Sequence, residues 1–462
     1  MQASPTPSQP QSIRAADVLS LGWPILVSML SYTLMGLVDT LFVGRLGSAQ
    51  LAAIGIAIPV VFLAQAFGIG LLQGVRVHIA QSAGAQDELR ARRFAWQGLW
   101  IALLLGLVLA ALATADARLF ERLGATESVA GFAATYFGIR ILGAPFALCM
   151  HAFRAFFEGR GDTRTTMVAN VGANGLNILL DPLLIFGLGP FPALGIGGAA
   201  LATVLSFVAA DIFLVVRAYP KLREARATPS LTLLRDVTRT GAPLGVRGAL
   251  DVGAWVLFVG LLARFSDTHL AAHVLVVRIV SVSFLPGFAL SEAVSVLAGQ
   301  SLGAGRPEGA REAWRAGLRL AIGFMGGAAL LFVAAPQVFV APFGVSEDVA
   351  GLARDLLLIG ALFQLVDAAA MVSQGALTGA GDTRFVMVTS VLCSWFVNLP
   401  LAWFLALHLR LGAPGAWLGL TLEIGLLAVL SVVRIQGSRW LETGRGQHTA
   451  QASSAPEPAD AA

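Results

Sequence analysis

The chain has 462 residues, 56% of them hydrophobic and 13% charged, with a mean hydropathy of +0.77. A soluble domain carries roughly 25% charged residues, so this composition excludes an ordinary soluble protein and points to a chain built from membrane spans. The net charge of +4 and pI near 9.7 do not signal nucleic acid, because the arginines lie in short loops between apolar runs.

Residues 1–12 are polar and rich in Pro, Ser and Gln, and are read as disordered. The first apolar run is too long for a cleavable signal peptide and is followed by many others. A span needs roughly 20 apolar residues. Such runs fall at 17–43, 51–78, 94–115, 131–156, 166–187 and 195–218, then at 239–263, 270–298, 314–336, 349–377, 385–408 and 414–436. The expected fold is an all-α polytopic membrane protein with twelve transmembrane helices in two six-helix lobes. The lobes occupy 13–218 and 239–438, a basic linker covers 219–238, and a disordered tail covers 439–462. Cys149 and Cys393 both sit in apolar runs and read as small buried hydrophobes.

The halves repeat one another. At a shift of 219 residues, Gly22 and Pro24 return as Gly241 and Pro243, Arg45 as Arg264, and Leu51-Ala52-Ala53 as Leu270-Ala271-Ala272. Gln81-Ser82 and Gly84-Ala85 return as Gln300-Ser301 and Gly303-Ala304. At a shift of 220, Gly161-Asp162-Thr163-Arg164 returns as Gly381-Asp382-Thr383-Arg384. An even number of spans per half gives both halves the same orientation, so the repeat axis runs along the membrane normal. Two such lobes around a central path is an architecture of alternating-access transporters.

Arginine placement predicts the topology. Arg90, Arg92, Arg93, Arg160, Arg164, Arg306, Arg311, Arg384 and the basic linker fall on one side; Arg45, Arg118, Arg122, Arg264 and Arg410 fall on the other. The positive-inside rule puts both termini in the cytoplasm of a bacterial inner membrane.

Ionisable residues inside spans are the informative ones. A charged Asp at the centre of a membrane helix costs roughly 2.5–3.5 kcal/mol on insertion scales, and taking up a proton relieves that cost. Asp39 lies in span 1 about four turns past Pro24, which permits a bend; the bland alternative wets it at the span's outer end. In span 5, Asn170, Asn174, Asn177 and Asp181 fall at i, i+4, i+7 and i+11, on one helix face. In a membrane that face must look into the bundle or a watery cavity, unless the asparagines only glue helices together. The second half offers Asp251, Glu292 and Asp367; none is the repeat image of Asp39, which falls on Phe258. Arg247 sits one turn before Asp251, so a local ion pair competes with ion coupling there. Arg76, Arg278 and Glu423 read as helix-end or interlobe contacts. There is no Cys/His cluster at metal spacing, no phosphate-binding loop and no nucleophile elbow. The sequence therefore predicts no enzyme, cofactor or metal; the expected surrounding is the bilayer and the expected state a monomer, and the resemblance described next implies small amphipathic molecules as partners.

The combination of Pro24 with Val38-Asp39-Thr40, the two Gly-Asp-Thr-Arg loops and Asn177-Ile178-Leu179-Leu180-Asp181-Pro182 resembles the multidrug and toxic compound extrusion (MATE) transporters over roughly 13–438. It looks most like the branch named for the DNA-damage-inducible protein F. The resemblance implies export of organic, often cationic, compounds in exchange for H⁺ or Na⁺. It also implies a site in the first lobe at Asp39, Asn177 and Asp181, with Thr203 in the same network. Asp251 and Asp367 match positions where a sister branch keeps cation-binding carboxylates. Two other readings stand beside it: a lipid-linked saccharide flippase of the same fold, which needs several cations lining the cleft, and a non-transporting receptor or scaffold.

Overall fold

In the computed structural model, which describes residues 12–111, 117–225 and 228–442, the apolar runs become sixteen α-helices. The first half holds α1 (Ala15–Gly44), α2 (Ser48–Gly84), α3 (Glu88–Ala110), the short α4 (Arg118–Arg122), α5 (Glu127–Leu142), α6 (Ala144–Gly159), α7 (Thr163–Phe186) and α8 (Ile196–Leu222). The second holds α9 (Leu231–Leu262), α10 (Asp267–Gly303), α11 (Pro307–Ala334), the short α12 (Pro336–Val340), α13 (Glu347–Gly379), α14 (Thr383–Leu392), α15 (Leu399–Trp403) and α16 (Gly412–Gln436). Eleven helical stretches are long and apolar enough to cross a bilayer, and the bent pair α5–α6 makes the twelfth.

Two spans are less regular than expected. The span over 131–156 breaks between α5 and α6 with a 48° bend. Pro145 brings no N–H to the helix ladder, and Gly143 lies so close to Val204 that a Cβ there would overlap it. The span over 385–408 is interrupted by two π-helical turns, Cys393–Asn398 and Phe404–His408, on either side of Pro400. Such turns widen the helix and commonly accompany kinks.

The repeated Gly-Asp-Thr-Arg loops have the same backbone. Gly161 and Gly381 both adopt φ +84°, a left-handed geometry that glycine adopts freely. The aspartates then diverge. Asp162 caps α7 by accepting from the Thr165 N–H at 3.1 Å and its hydroxyl at 2.7 Å, whereas Asp382 accepts from Arg434 of α16 at 2.8 Å.

The expected boundaries shift at two places. Helices run further into the linker than expected, leaving only 223–230 between α8 and α9. The tail does not begin at 439: residues 439–442 are helical, and Trp440 is fully buried in the second lobe with its indole N–H on the Ile435 carbonyl at 2.9 Å. The rest of the expected disorder, at 1–11 and 443–462, lies outside the described residues.

The lobes, α1–α8 and α9–α16, interlock where α1 and α9 begin. Val18 of α1 packs into the second lobe's core, and its repeat image Val237 of α9 packs into the first lobe's core; both are fully buried. Glycines let the helices close in. A methyl at Gly70 or Gly74 of α2 would meet the backbone of Gly245 or Gly241 of α9. The ends of α2 and α10 meet reciprocally: Gly84 abuts the Gln300 backbone and Gly303 abuts the Gln81 backbone. Gln81 then donates to the Gly379 carbonyl at 3.2 Å, and Gln300 donates to the Gly159 carbonyl at 2.9 Å. Since 81 and 300, 84 and 303, and 159 and 379 are repeat images, the joint carries the pseudo-two-fold symmetry of the chain. All these contacts lie in the half of the molecule that carries the arginine-rich loops.

Candidate functional site

Three helices build the first-lobe site. Asp39 comes from α1, the polar stripe from α7, and Thr203 from α8. The α7 stripe is enclosed as the helical spacing requires: Asn170, Asn174, Asn177 and Asp181 are all buried, the last two completely. Asp39 is 8% exposed and Thr203 0%, so Asp39 is not a wetted helix end.

Asn177 sits at the centre. The amide orientation that satisfies its neighbours has the Asn177 NH₂ donating to Asp39 Oδ1 at 2.8 Å and the Asn177 oxygen accepting from the Thr203 backbone N–H at 3.2 Å. The reverse orientation would set the amide oxygen against a carboxylate. Thr203 turns its own hydroxyl to the Ala199 carbonyl at 3.0 Å. One turn earlier on α7, Asn174 donates to Ser31 of α1 at 2.6 Å, a second tie between the same two helices.

Asp181 lies within side-chain hydrogen-bonding reach of Asp39. Neither Asp181 oxygen meets an N–H or hydroxyl donor among the described residues. A carboxylate has only acceptor oxygens, so two carboxyl groups bond to one another only when one of them carries a hydrogen. A shared proton is the one way these two groups can bond, and the Asn177 amide is the donor described beside them.

Two neighbours were not singled out from the sequence. Tyr136 and Arg140 of α5 face this pair: Arg140 acts electrostatically on Asp39, and its guanidinium lies 5.9 Å from the Tyr136 ring and 5.4 Å from the Phe207 ring. In the sequence an arginine of a hydrophobic chain signals topology first, which masks the place of Arg140 in a site. It lies ten residues inside the expected span 131–156, and that depth was the available signal.

In the second lobe, Asp251 of α9 and Asp367 of α13 are joined by Glu423 of α16. Asp367 and Glu423 are 4% and 2% exposed, and Glu423 feels the charge of both aspartates. Glu423 is thus a member of this cluster and not the helix-end contact expected from sequence. Arg247 donates to Asp251 at 3.2 Å, and one oxygen of each of the three acids meets no donor among the described residues. Among the described residues no three His, Cys, Asp or Glu side chains are arranged to hold a metal ion. These acids share a field without forming a cage.

Glu292 is drawn elsewhere. Arg76 of α2, buried in the first lobe, forms an ion pair with Glu292 of α10 and lies 3.5 Å from Glu158, which in turn pairs with Arg154 at 3.1 Å. The chain Arg154–Glu158–Arg76–Glu292 crosses from one lobe to the other, so Glu292 serves the interlobe joint. The ion-coupling part expected of it has no support in this pairing.

The two lobes differ at equivalent places. Phe258, the image of Asp39, is fully buried with its ring 5.7 Å from Trp255 and 5.8 Å from His273. Val397 and Leu401 stand where Asn177 and Asp181 fall at the 220-residue shift. The first-lobe constellation therefore has no copy in the second. A further buried acid, which no pattern in the sequence marks, is Asp211 of α8, eight residues past Thr203.

A family model described as MatE matches residues 24–183 and again 243–404, once per lobe. The chain is 30% identical over 444 residues to the multidrug resistance protein NorM of Burkholderia vietnamiensis, covering 93% of this chain and 96% of that one. It is 32% identical over 425 residues to a probable NorM of Pseudomonas putida, covering 89% and 92%. Among solved structures, a MOP superfamily transporter from Pyrococcus furiosus superposes with a TM-score of 0.85 at 24% identity, covering 93% of this chain and 96% of that one. An outward-facing multidrug resistance MATE transporter gives the same TM-score and identity, covering 93% and 97%.

Proposed function

This chain belongs to the MATE family of transporters, and we propose that it exports amphipathic, often cationic, organic compounds in exchange for protons. The observation that carries the reading is the enclosed Asp39–Asn177–Asp181 group, with two carboxyls in reach of each other and one amide donor. NorM relatives are named multidrug resistance proteins, which supports efflux of unrelated compounds. The first-lobe constellation favours the branch named for the DNA-damage-inducible protein F.

In the working cycle, Asp39 is the main titrating group and Asn177 and Asp181 hold it. When the cleft faces the more acidic exterior, Asp39 takes up a proton. Its charge disappears, and a bound organic cation loses its counter-ion and leaves. When the cleft faces the cytoplasm, the proton departs and Asp39 can hold a cation again. One charge crossing 100 mV contributes about 2.3 kcal/mol, and the pH difference adds to it. The positive-inside rule sets the arginine-rich end, with both termini, in the cytoplasm of the inner membrane. The interlobe joint at that end then acts as the inner gate, closed in this conformation. Proline at position 24 of α1 allows that helix to bend as Asp39 changes partners.

Sodium coupling is the second reading. It rests on the second-lobe group Asp251, Asp367 and Glu423, where one arginine, Arg247, bonds Asp251 and acts electrostatically on Glu423. A saccharide flippase is less well supported, because Arg76, Arg154 and Arg247 are already matched to carboxylates. The deciding experiment is dye efflux from proteoliposomes with pH and Na⁺ gradients imposed separately. Proton exchange predicts efflux driven by the pH gradient alone and lost in Asp39→Asn; efflux driven only by Na⁺, or retained in that variant, overturns it.

A further inference from the structure

Two carboxyl groups face one another in the first lobe, and one proton removes only one of their two charges. If Asp39 and Asp181 stood alone, the protonated pair would still carry a negative charge. That charge is costly to bury unpaired, and it would go on holding a cation. Release of a cation on protonation therefore needs a third charged group.

Arg140 supplies it. It sits just before the bend between α5 and α6, deep in that span, and acts electrostatically on Asp39. Two rings fix its place. The guanidinium lies 5.9 Å from the ring of Tyr136, one turn earlier on α5, and 5.4 Å from the ring of Phe207. Phe207 stands one turn past Thr203 on α8, and Thr203 meets Asn177, which donates to Asp39. Aromatic faces hold a cation without cancelling its charge. Among the described residues Arg140 forms no hydrogen bond or ion pair with either acid. Its charge therefore reaches the pair while the carboxyl oxygens stay open. A directly bonded guanidinium would occupy those oxygens and keep a proton out.

The other groups around the pair bring no positive charge. Tyr136 of α5 and Tyr32 of α1 are phenols, neutral at ordinary pH. Asn177 and Asn174 of α7, Ser31 of α1 and Thr203 of α8 are uncharged. The second lobe fits the same account. Asp39 has Phe258 as its image, and Arg140 has Ile359 or Gly360 at shifts of 219 and 220 residues. The acid and the arginine are absent together.

We propose that Arg140 is the resident counter-charge of the Asp39–Asp181 pair, a positioning residue that leaves the pair one positive charge short of neutral, so that one proton or one organic monocation completes it, but not both. The inference rests on the proton exchange proposed at Asp39. With both acids ionised, Arg140 balances one charge and the monocation balances the other. With one proton shared, Arg140 balances what remains, and the monocation has no counter-ion left.

The test is equilibrium binding of tetraphenylphosphonium to the full chain in zwitterionic lipid nanodiscs at mildly alkaline pH. The wild type is expected to bind. Asp181→Asn leaves one acid facing one arginine and should bind about tenfold more weakly or worse. Adding Arg140→Gln to Asp181→Asn should win back most of that affinity. Arg140→Met, which keeps an apolar stem between the two rings, serves as a second neutral variant in the same background. Arg140→Lys keeps the charge and should regain little. A purely structural arginine predicts the reverse, because a second substitution would damage the site further. Adding Asp39→Asn to the Asp181→Asn/Arg140→Gln chain should abolish the regained binding. The inference alone is overturned if Asp181→Asn binds like the wild type, if neither neutral variant binds more tightly than Asp181→Asn, or if Arg140→Lys regains as much as they do. If the wild type does not bind, or the regained binding survives the loss of Asp39, the exchange reading falls and this inference falls with it.

Discussion

Asn177 donates its side-chain amide to Asp39 across the α1–α7 contact at 2.8 Å, while its oxygen takes the Thr203 N–H. One side chain therefore ties three helices to the acid that sits among them. Losing a hydrogen bond to a charged group costs about 1.5–3 kcal/mol. We expect Asn177→Ala to slow pH-driven efflux by roughly tenfold or more on that basis, with normal membrane insertion. Initial rates in proteoliposomes check it.

Asp39→Asn should abolish exchange and leave substrate binding weakened, because an amide neither gains nor loses a proton. The pH response supplies its sign. In wild type, efflux should rise as the exterior is made more acidic than the interior and should vanish when the two sides match. In Asp39→Asn the rate should not change with the imposed difference.

The second-lobe acids give a separate prediction. Asp251→Asn and Asp367→Asn should leave pH-driven efflux within about twofold if the first lobe carries the proton, since neither residue belongs to the Asp39–Asn177–Asp181 group. Any Na⁺-driven component should disappear. Parallel assays with the two gradients applied one at a time make the comparison.

Arg76→Met strips two carboxylates of their shared cation. Breaking a buried pair by removing one partner costs about 3–5 kcal/mol. Thermal unfolding in detergent should show that loss, and Glu292→Gln in the same chain should recover part of it. A functional consequence should also appear, because Glu158 and Glu292 belong to different lobes. Spin labels at positions 86 and 305 should report longer distances when the clasp is removed.

Trp440→Ala should be costly for a residue expected to lie in a disordered tail. The side chain is fully buried, and removing a buried Trp costs about 3–5 kcal/mol. The same unfolding assay reads it.

Much of the architecture was legible before any coordinates. The shift between Gln81 and Gln300 announced two similar lobes, and spacing alone put Asn170, Asn174, Asn177 and Asp181 on one buried face. What could not be read depended on neighbours distant in sequence. Glu292 looked like a lone acid because its arginine is 216 residues away in the other lobe. Glu423 looked like a helix-end residue because nothing local reveals that α16 turns it towards α9 and α13. Arg140 carries no local sign of its place beside Asp39, because an arginine in such a chain reads first as a topology marker. Asp211 makes no pattern in the sequence, because the positions three and four residues to either side of it on α8 are Val208, Phe207, Leu214 and Val215. The bend at Gly143 needed the position of Val204, which a linear reading lacks.

The reciprocal seating of Gly84 on residue 300 and Gly303 on residue 81 has an ancestral implication. Each half presents both the knob and the recess that the other half needs. Two copies of a single half-length chain would therefore fit together by the same surfaces, without any linker. Fusion would then have freed the two copies to differ inside, as Asp39 and Phe258 do, while the shared seam stayed under a common constraint.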